Sequence, residues 1–393
     1  MPQTPVSPVA PLIRLTATDL IVRTGYQMGK TPVLPIYAAA LGASDWFLGL
    51  IVSVSTVTGM VLKPTVGLLS DRWGRRGWLL AGTAFFAGMP FLYRFVTAPD
   101  ELFAIRLLHG LATAIYGPVT FAMVAEWGGG NLGTRLGIFG MGRHGGYILG
   151  PAAGGLLLSY TDPVGVFTTI GLLSCLAFVP VLATRWRPSA LTGRLPLREQ
   201  AAHALAAASR TRAVWLSGLL EFTTFVGLYA IRTFLPLYGL GLGFRADMVG
   251  YFFSIQELTH LLLRAGGGRL GDWLGFRQTV SAGALLMALA LFYLPEATAP
   301  LAFAAAALVL GASQALIFPS TLALVSTQID PDHLGTGMGA VGALKNAGKV
   351  AGPILAGYLV HRGDYTEMFH FMAALGAAVA AAVWLLGTPR TRR

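Results

Sequence analysis

The stretch GLLSDRWGRR, residues 67–76, decides the fold because it occurs twice: GRLGDWLGFR follows at residues 268–277. Gly67 stands on Gly268, Asp71 on Asp272, Gly74 on Gly275 and Arg76 on Arg277, at a constant offset of 201. The offset carries outward in both directions. Leu34-Pro35-Ile36-Tyr37 falls on Leu235-Pro236-Leu237-Tyr238, Gly49 on Gly250, Ser53 on Ser254, Lys63 on Arg264, and Gly110 and Pro118 on Gly311 and Pro319. With one more residue of offset, Leu132-Gly133-Thr134 meets Leu334-Gly335-Thr336, Gly140 meets Gly342, Arg143 meets Lys345, Gly150-Pro151 meets Gly352-Pro353 and Gly155 meets Gly357. A nearly gapless match of this length means that the chain holds two copies of one unit.

Composition says where those copies live. Charged residues make up 11% of the 393 and apolar ones 54%, whereas a soluble domain carries about 25% charged residues. A membrane span needs roughly 20 mostly apolar residues. Twelve such runs are found, at 14–41, 46–69, 77–98, 101–127, 132–159, 163–184, 213–240, 246–268, 278–296, 300–328, 334–361 and 366–387. The sequence thus predicts an all-α membrane protein of twelve transmembrane helices, as two six-helix bundles (1–184 and 213–393) joined by a basic linker, 185–212, with six arginines. Six spans separate equivalent positions, so the copies share one orientation, and a central substrate cavity is expected near the midplane between them.

The start, MPQTPVSPVAPLIRLTATD, lacks a basic region followed by an apolar core and a cleavage site, so no cleaved signal peptide is expected. If the N-terminus is cytoplasmic, that side holds Arg14, Arg72, Arg75, Arg76, Arg135, the linker arginines, Arg269, Arg277, Arg390, Arg392 and Arg393. The other side holds only Arg94, Arg245 and Arg362. The bias places both termini and the linker in the cytoplasm, and it accounts for the net charge of +11 without a nucleic-acid partner. The single cysteine, Cys175, excludes an internal disulfide and a Cys-based metal site. There is no phosphate-binding P-loop, no nucleophile–base pair and no metal cluster, so neither ATP drive nor an enzyme is indicated, and no cofactor is expected.

Ionisable residues inside the membrane are costly and are presumed to face a cavity. Span 1 carries Asp19, Arg23, Gln27 and Lys30, spaced to share one face, with Asp19 and Arg23 placed to form an i,i+4 pair. Span 7 carries Glu221 and Arg232; span 8 carries Glu257, His260 and Arg264; spans 5 and 11 carry Arg143 with His144 and Lys345 with Lys349. Lys63 and Arg264 lie near cytoplasmic ends and can snorkel. Removing them and Arg106 leaves Arg23, Lys30, Arg143, Arg232, Lys345 and Lys349 against Asp19, Glu221 and Glu257. That excess points to an anionic or zwitterionic, amphipathic substrate, held by the six basic residues with Gln27 and Glu257. Asp19, Glu221 and Glu257 are the candidate proton carriers, because burial and a neighbouring cation act on a carboxyl group in opposite senses. His109, His144 and His260 are candidate ligands or proton carriers, though a lone histidine is more often a packed polar residue.

These residues resemble the major facilitator superfamily over essentially the whole chain. Gly67 to Arg76 is similar to that family's motif between spans 2 and 3, G-x-L-x-D-R-x-G-R-R; the copy at 268–277 lacks the middle arginine. Arg106-Leu-Leu-His109-Gly110 resembles the fourth-span motif R-x-x-Q-G, with His109 where Gln is usual. Gly146-Tyr-Ile-Leu-Gly150-Pro151-Ala-Ala-Gly154-Gly155 resembles the fifth-span motif G-x-x-x-G-P-x-x-G-G, which in the family accompanies exporters, above all twelve-span drug:proton antiporters. The resemblance implies a proton-coupled secondary efflux transporter working by alternating access as a monomer in a bacterial plasma (inner) membrane, with the lipid bilayer, a small-molecule substrate and protons as its partners. Gating would fall to Gly67, Asp71, Arg72, Gly74, Arg75, Arg76, Arg106, Glu126, Gly150, Pro151, Asp272 and Pro353. Within that set Glu126 is a candidate partner of Arg75 or Arg76, and Pro151 and Pro353 would bend their helices. An importer or facilitator of an organic anion is the alternative of the same class. A non-transporting membrane sensor is the alternative of another class, against which the intact motif at 67–76 and the intramembrane charges speak.

Overall fold

A computed structural model describes residues 9–126, 131–184, 212–326 and 334–386. The linker expected at 185–212 lies outside these residues except for Arg212, as do Arg390, Arg392 and Arg393. Among the described residues the regular elements are all helices: α1 (Val9–Met28), α2 (Leu34–Ala40), α3 (Asp45–Trp73), α4 (Arg75–Leu92), α5 (Pro99–Glu126), α6 (Leu132–Leu158), α7 (Pro163–Cys175), α8 (Phe178–Leu182), α9 (Arg212–Gly241), α10 (Ala246–Leu274), α11 (Phe276–Tyr293), α12 (Pro300–Ser326), α13 (Leu334–Arg362) and α14 (Tyr365–Leu386). Spans 1 and 6 each consist of two helical pieces, α1 with α2 and α7 with α8, and every other span is one helix. The chain is an all-α membrane protein of twelve transmembrane helices in two six-helix repeats.

By length and apolarity alone, seven of the described helical spans qualify to cross a membrane: α3, α5, α7 with α8, α9, α11, α12 and α14. The five others, α1 with α2, α4, α6, α10 and α13, hold most of the embedded charges, including Asp19, Arg143, Glu257 and Lys345. The helices that look least like membrane spans are therefore those whose polar groups need partners inside the protein.

Span 1 departs from the single helix expected at 14–41. It breaks at Gly29–Val33, where Thr31 is extended (φ −150°, ψ 118°) and the Thr31–Pro32 bond is cis. Pro32 has no N–H to give to a helix. The turn of the 67–76 motif is shorter than the loop expected between 69 and 77: α3 runs to Trp73, α4 starts at Arg75, and only Gly74 lies between them. Gly74 has φ 87°, a value that glycine adopts freely. Its repeat partner Gly275 has φ 104°, and Gly42 and Gly243, again 201 apart, have φ 85° and 84°. Across the Gly74 turn the indoles of Trp73 and Trp78 stack at 6.3 Å with 8° between their planes.

The chain divides into two compact units, Met1–Ala43 with Val54–Thr192, and Ser44–Ser53 with Gly193–Arg393. In the first unit α1 packs along α6. Gly142, Gly146, Gly150 and Gly154 repeat every fourth residue on α6, and a Cβ at any of them would run into Thr16, Arg23, Gln27 or Met28 of α1. Small residues at this spacing let two helix backbones close on each other. In the second unit α9 packs along α13 by the same means, Gly348 lying on Phe222 and Gly352 on Val226. Gly110 of α5 lies on Ser55 and Thr58, and Gly311 of α12 on Gln256 and Thr259, which is the same contact at the offset of 201. Helix ends are tied alike: the Tyr37 hydroxyl donates to the Tyr93 and Val96 carbonyls at 3.0 and 3.1 Å, and that of Tyr238 to the Pro295 carbonyl at 2.8 Å.

Candidate functional site

The close approach of α1 and α6 brings Arg143 to Asp19. Gly142 and Gly146 flank the arginine, so its side chain has room over α1. Asp19 is fully buried and takes Arg143 Nη2 on Oδ1 at 3.1 Å and Nε on Oδ2 at 3.3 Å. This two-pronged geometry is the strong form of the arginine–carboxylate contact. Arg23, one turn along α1, sits 3.7 Å from the same Oδ1, as its i,i+4 spacing predicts. The Arg143 guanidinium lies over the rings of Phe121 at 4.3 Å and Phe139 at 5.1 Å, and Arg23 lies 5.8 Å from the Tyr147 ring.

The second unit repeats the arrangement. Lys345 Nζ of α13 stands 3.7 Å from Glu221 Oε2 of α9. It also lies 4.4 Å from the Phe225 ring centroid and 5.2 Å from that of Phe318. Lys349 lies 5.0 Å from the Phe225 centroid and donates to Asn346 Oδ1 at 3.3 Å. Asp19 and Glu221 are 202 apart, as are Arg143 and Lys345, so one carboxylate–cation pair occurs twice. Sequence reading matched the cations across the repeat but took the acids separately, although the same offset joins them. The aromatic faces were also missed. For Phe139 the signal is spacing, since it precedes Arg143 by four residues on one helix.

A second pair joins α9 to α10. Arg232 Nη2 donates to Glu257 Oε2 at 3.4 Å, and His260 Nδ1 lies 3.7 Å from Glu257 Oε1. Each of the three embedded acids therefore faces a basic side chain, which takes up much of the basic excess counted in the sequence. The face expected of span 1 divides. Asp19 and Arg23 meet Arg143, Gln27 packs under Gly150, and Lys30, beside the helix break, lies 5.6 Å from the Tyr26 ring. Arg106 is buried and donates to Ser55 Oγ at 2.5 Å. Arg264 is exposed, while His260 is buried.

At the 67–76 motif, Arg75 donates to Asp71 Oδ1 at 2.7 Å and reaches Glu126 Oε1 of α5 at 2.6 Å, the contact expected of Glu126. Arg72, Arg76 and Asp272 are exposed, and among the described residues no atom outside the local backbone comes near the place of a Cβ at Gly67. Pro151 and Pro353 are buried within the unbroken helices α6 and α13. Among the described residues no group of His, Cys, Asp and Glu is placed to hold a metal ion.

A family model described as the Major Facilitator Superfamily matches residues 24–295 and 219–393. The chain is 23% identical over 362 residues to an uncharacterized MFS-type transporter, MJ1560, of Methanocaldococcus jannaschii, covering 90% of this chain and 92% of the relative. It is 24% identical over 360 residues to the multidrug resistance protein MdtG of Proteus mirabilis, covering 88% of each. A mutant form of the nucleoside transporter NupG overlays it with a TM-score of 0.84 at 14% identity, over 96% of this chain and 100% of that one, a likeness of fold alone. Fold and family matches together define a membrane transport protein and not an enzyme. The chain belongs to the major facilitator superfamily.

Proposed function

We propose that the chain is a secondary exporter of small amphipathic molecules in exchange for protons, working by alternating access as a monomer with both termini in the cytoplasm. The observation that carries this reading is the lysine shared between Glu221 and the rings of Phe225 and Phe318. A proton on Glu221 removes the charge that holds Lys345, and the released ammonium takes the ring faces by cation–π attraction. A substrate that stacks on those rings drives Lys345 back to Glu221 and keeps that carboxylate ionised. Substrate and proton therefore exclude each other, and this mutual exclusion is the free-energy coupling that exchange requires. Asp19, Arg143, Phe121 and Phe139 offer the same competition in the first unit. The outward direction draws on the relative named as a multidrug resistance protein. Asp71, Arg75 and Glu126 act as a cytoplasmic latch whose contacts differ between the two facing states.

A second reading rests on the two cations, Arg23 and Arg143, that share Asp19. An anionic substrate would draw Arg143 away, and the carboxylate left behind would take up a proton, so that anion and proton would travel together. The sign of the pH-gradient effect in proteoliposomes separates the two. Exchange requires that accumulation of a lipophilic fluorescent dye be driven by an opposed proton gradient and stop when the gradient is collapsed. It also requires that Glu221→Gln lose the gradient dependence while keeping downhill dye movement. Benzoate moving in the same direction as protons, with no gradient-driven dye movement, would replace exchange by cotransport.

A further inference from the structure

A cavity inside the first unit has cations in its wall and, among the described residues, no carboxylate. It measures about 10 Å³ and lies among α1, α4, α5, α7 and the break of span 1, with Tyr26, Lys30, Phe86, Arg106, His109 and Phe167 in its lining. That is about the space one water-sized particle needs. Arg106 is 2% exposed and His109 4%. Arg106 Nε and His109 Nε2 are both buried, and among the described residues neither has a hydrogen-bond partner. His109 Nδ1 lies 3.3 Å from the Tyr93 hydroxyl. Among the described residues Nδ1 is the acceptor within reach of that hydroxyl, so the phenol gives its proton to Nδ1 and the imidazole hydrogen is assigned to Nε2. Two N–H groups thus meet a small, aromatic-walled space beside a guanidinium that stays charged.

A group that only accepts hydrogen bonds and carries one negative charge satisfies both donors and neutralises the guanidinium, which a water molecule does not. The geometry points to a bound monovalent inorganic anion of chloride's size in this cavity, held by Arg106 Nε and His109 Nε2. The histidine stands where the family motif has glutamine, so the site is a feature of this chain's own residues. Gly29 keeps the approach open, since a side chain there would strike the Phe167 ring, which stacks on Tyr93 at 3.8 Å. The anion is distinct from the transported substrate, and its binding is read without transport.

The full chain, purified in detergent, is titrated with sodium chloride against sodium gluconate at constant ionic strength. Thermal unfolding and equilibrium dialysis of radioactive chloride are the readouts. One chloride per chain and a saturating rise in unfolding temperature are expected, because a ligand that binds only the folded state stabilises it, with bromide competing. His109→Phe should weaken binding by about ten- to a hundred-fold, and His109→Gln, which keeps a donor, should retain saturable binding. Equal effects of chloride and gluconate on the wild-type chain, or wild-type chloride affinity in His109→Phe, would overturn the assignment. Should His109→Phe not fold, crystals of the wild-type chain in bromide decide: an anomalous peak beside Arg106 Nε supports the site, and its absence refutes it.

Discussion

Removing the charge of Asp19 should damage the protein far more than removing that of Glu221, although the two are repeat equivalents. Distance does not separate them. At an effective dielectric of about 20, unit charges 3.1 Å and 3.7 Å apart attract by about 5 and about 4.5 kcal/mol, before desolvation offsets most of it. What differs is the company each acid keeps. Asp19→Asn strands two guanidiniums, those of Arg143 and Arg23, whose side chains are 18% and 12% exposed. Breaking a buried pair from one side costs about 3–5 kcal/mol. Glu221→Gln strands one ammonium, Lys345, that is 36% exposed. Solvent screening should hold that loss to about 1–2 kcal/mol, and the ring contacts, which Arg143 and Lys345 both make, do not separate the two. The assay is equilibrium unfolding in mixed micelles of Asp19→Asn, Arg143→Gln, Glu221→Gln, Lys345→Gln and the two double variants. The Asp19→Asn/Arg143→Gln double should recover part of the loss of Asp19→Asn, a coupling that a double-mutant cycle measures. Equal losses for Asp19→Asn and Glu221→Gln, or strict additivity in the first unit, would refute the reasoning.

Gly146→Leu should destabilise by about 1–3 kcal/mol through overpacking against Arg23 and Thr24, whereas Gly137→Ala, with no atom near its Cβ, should stabilise by up to about 1 kcal/mol; thermal unfolding of both proteins compares them. Asp71→Asn should impair transport in vesicles while expression stays close to wild type, and full transport in that variant would reduce the motif to a topological role. Phe225→Ala should weaken dye binding by about two- to ten-fold, the worth of one aromatic contact, and unchanged affinity by fluorescence titration would remove that ring from the site.

The repeat and the span count were legible because both rest on local signals: glycines at fixed offsets and apolar runs bounded by charge. The break in span 1 was not. Gly29 and Pro32 stood in plain view, but glycine and proline are tolerated in membrane helices, and only neighbouring helices decide whether the backbone leaves its ladder. Among the charges, sequence reading brought Asp19 to Arg23, four residues apart, and Glu126 to Arg75 or Arg76, of which the structure shows Arg75. It did not bring Asp19 to Arg143, because that contact is set by how closely α6 can lie on α1. The glycines that allow it stood in the fifth-span motif, which does not say which helix they meet. Counting basic against acidic residues treated each as separate, and pairing across helices changes what remains for a substrate.

The turn at Gly74 has an optical consequence. Trp73 and Trp78 flank it with parallel rings, and two parallel indoles in contact give a circular dichroism couplet that depends on their angle. Any rotation about Gly74 would swing one ring away from the other. The proposed latch would therefore come with a built-in spectroscopic gauge beside it, one that reports motion in the unlabelled protein once the six other tryptophans of the eight are replaced by phenylalanine.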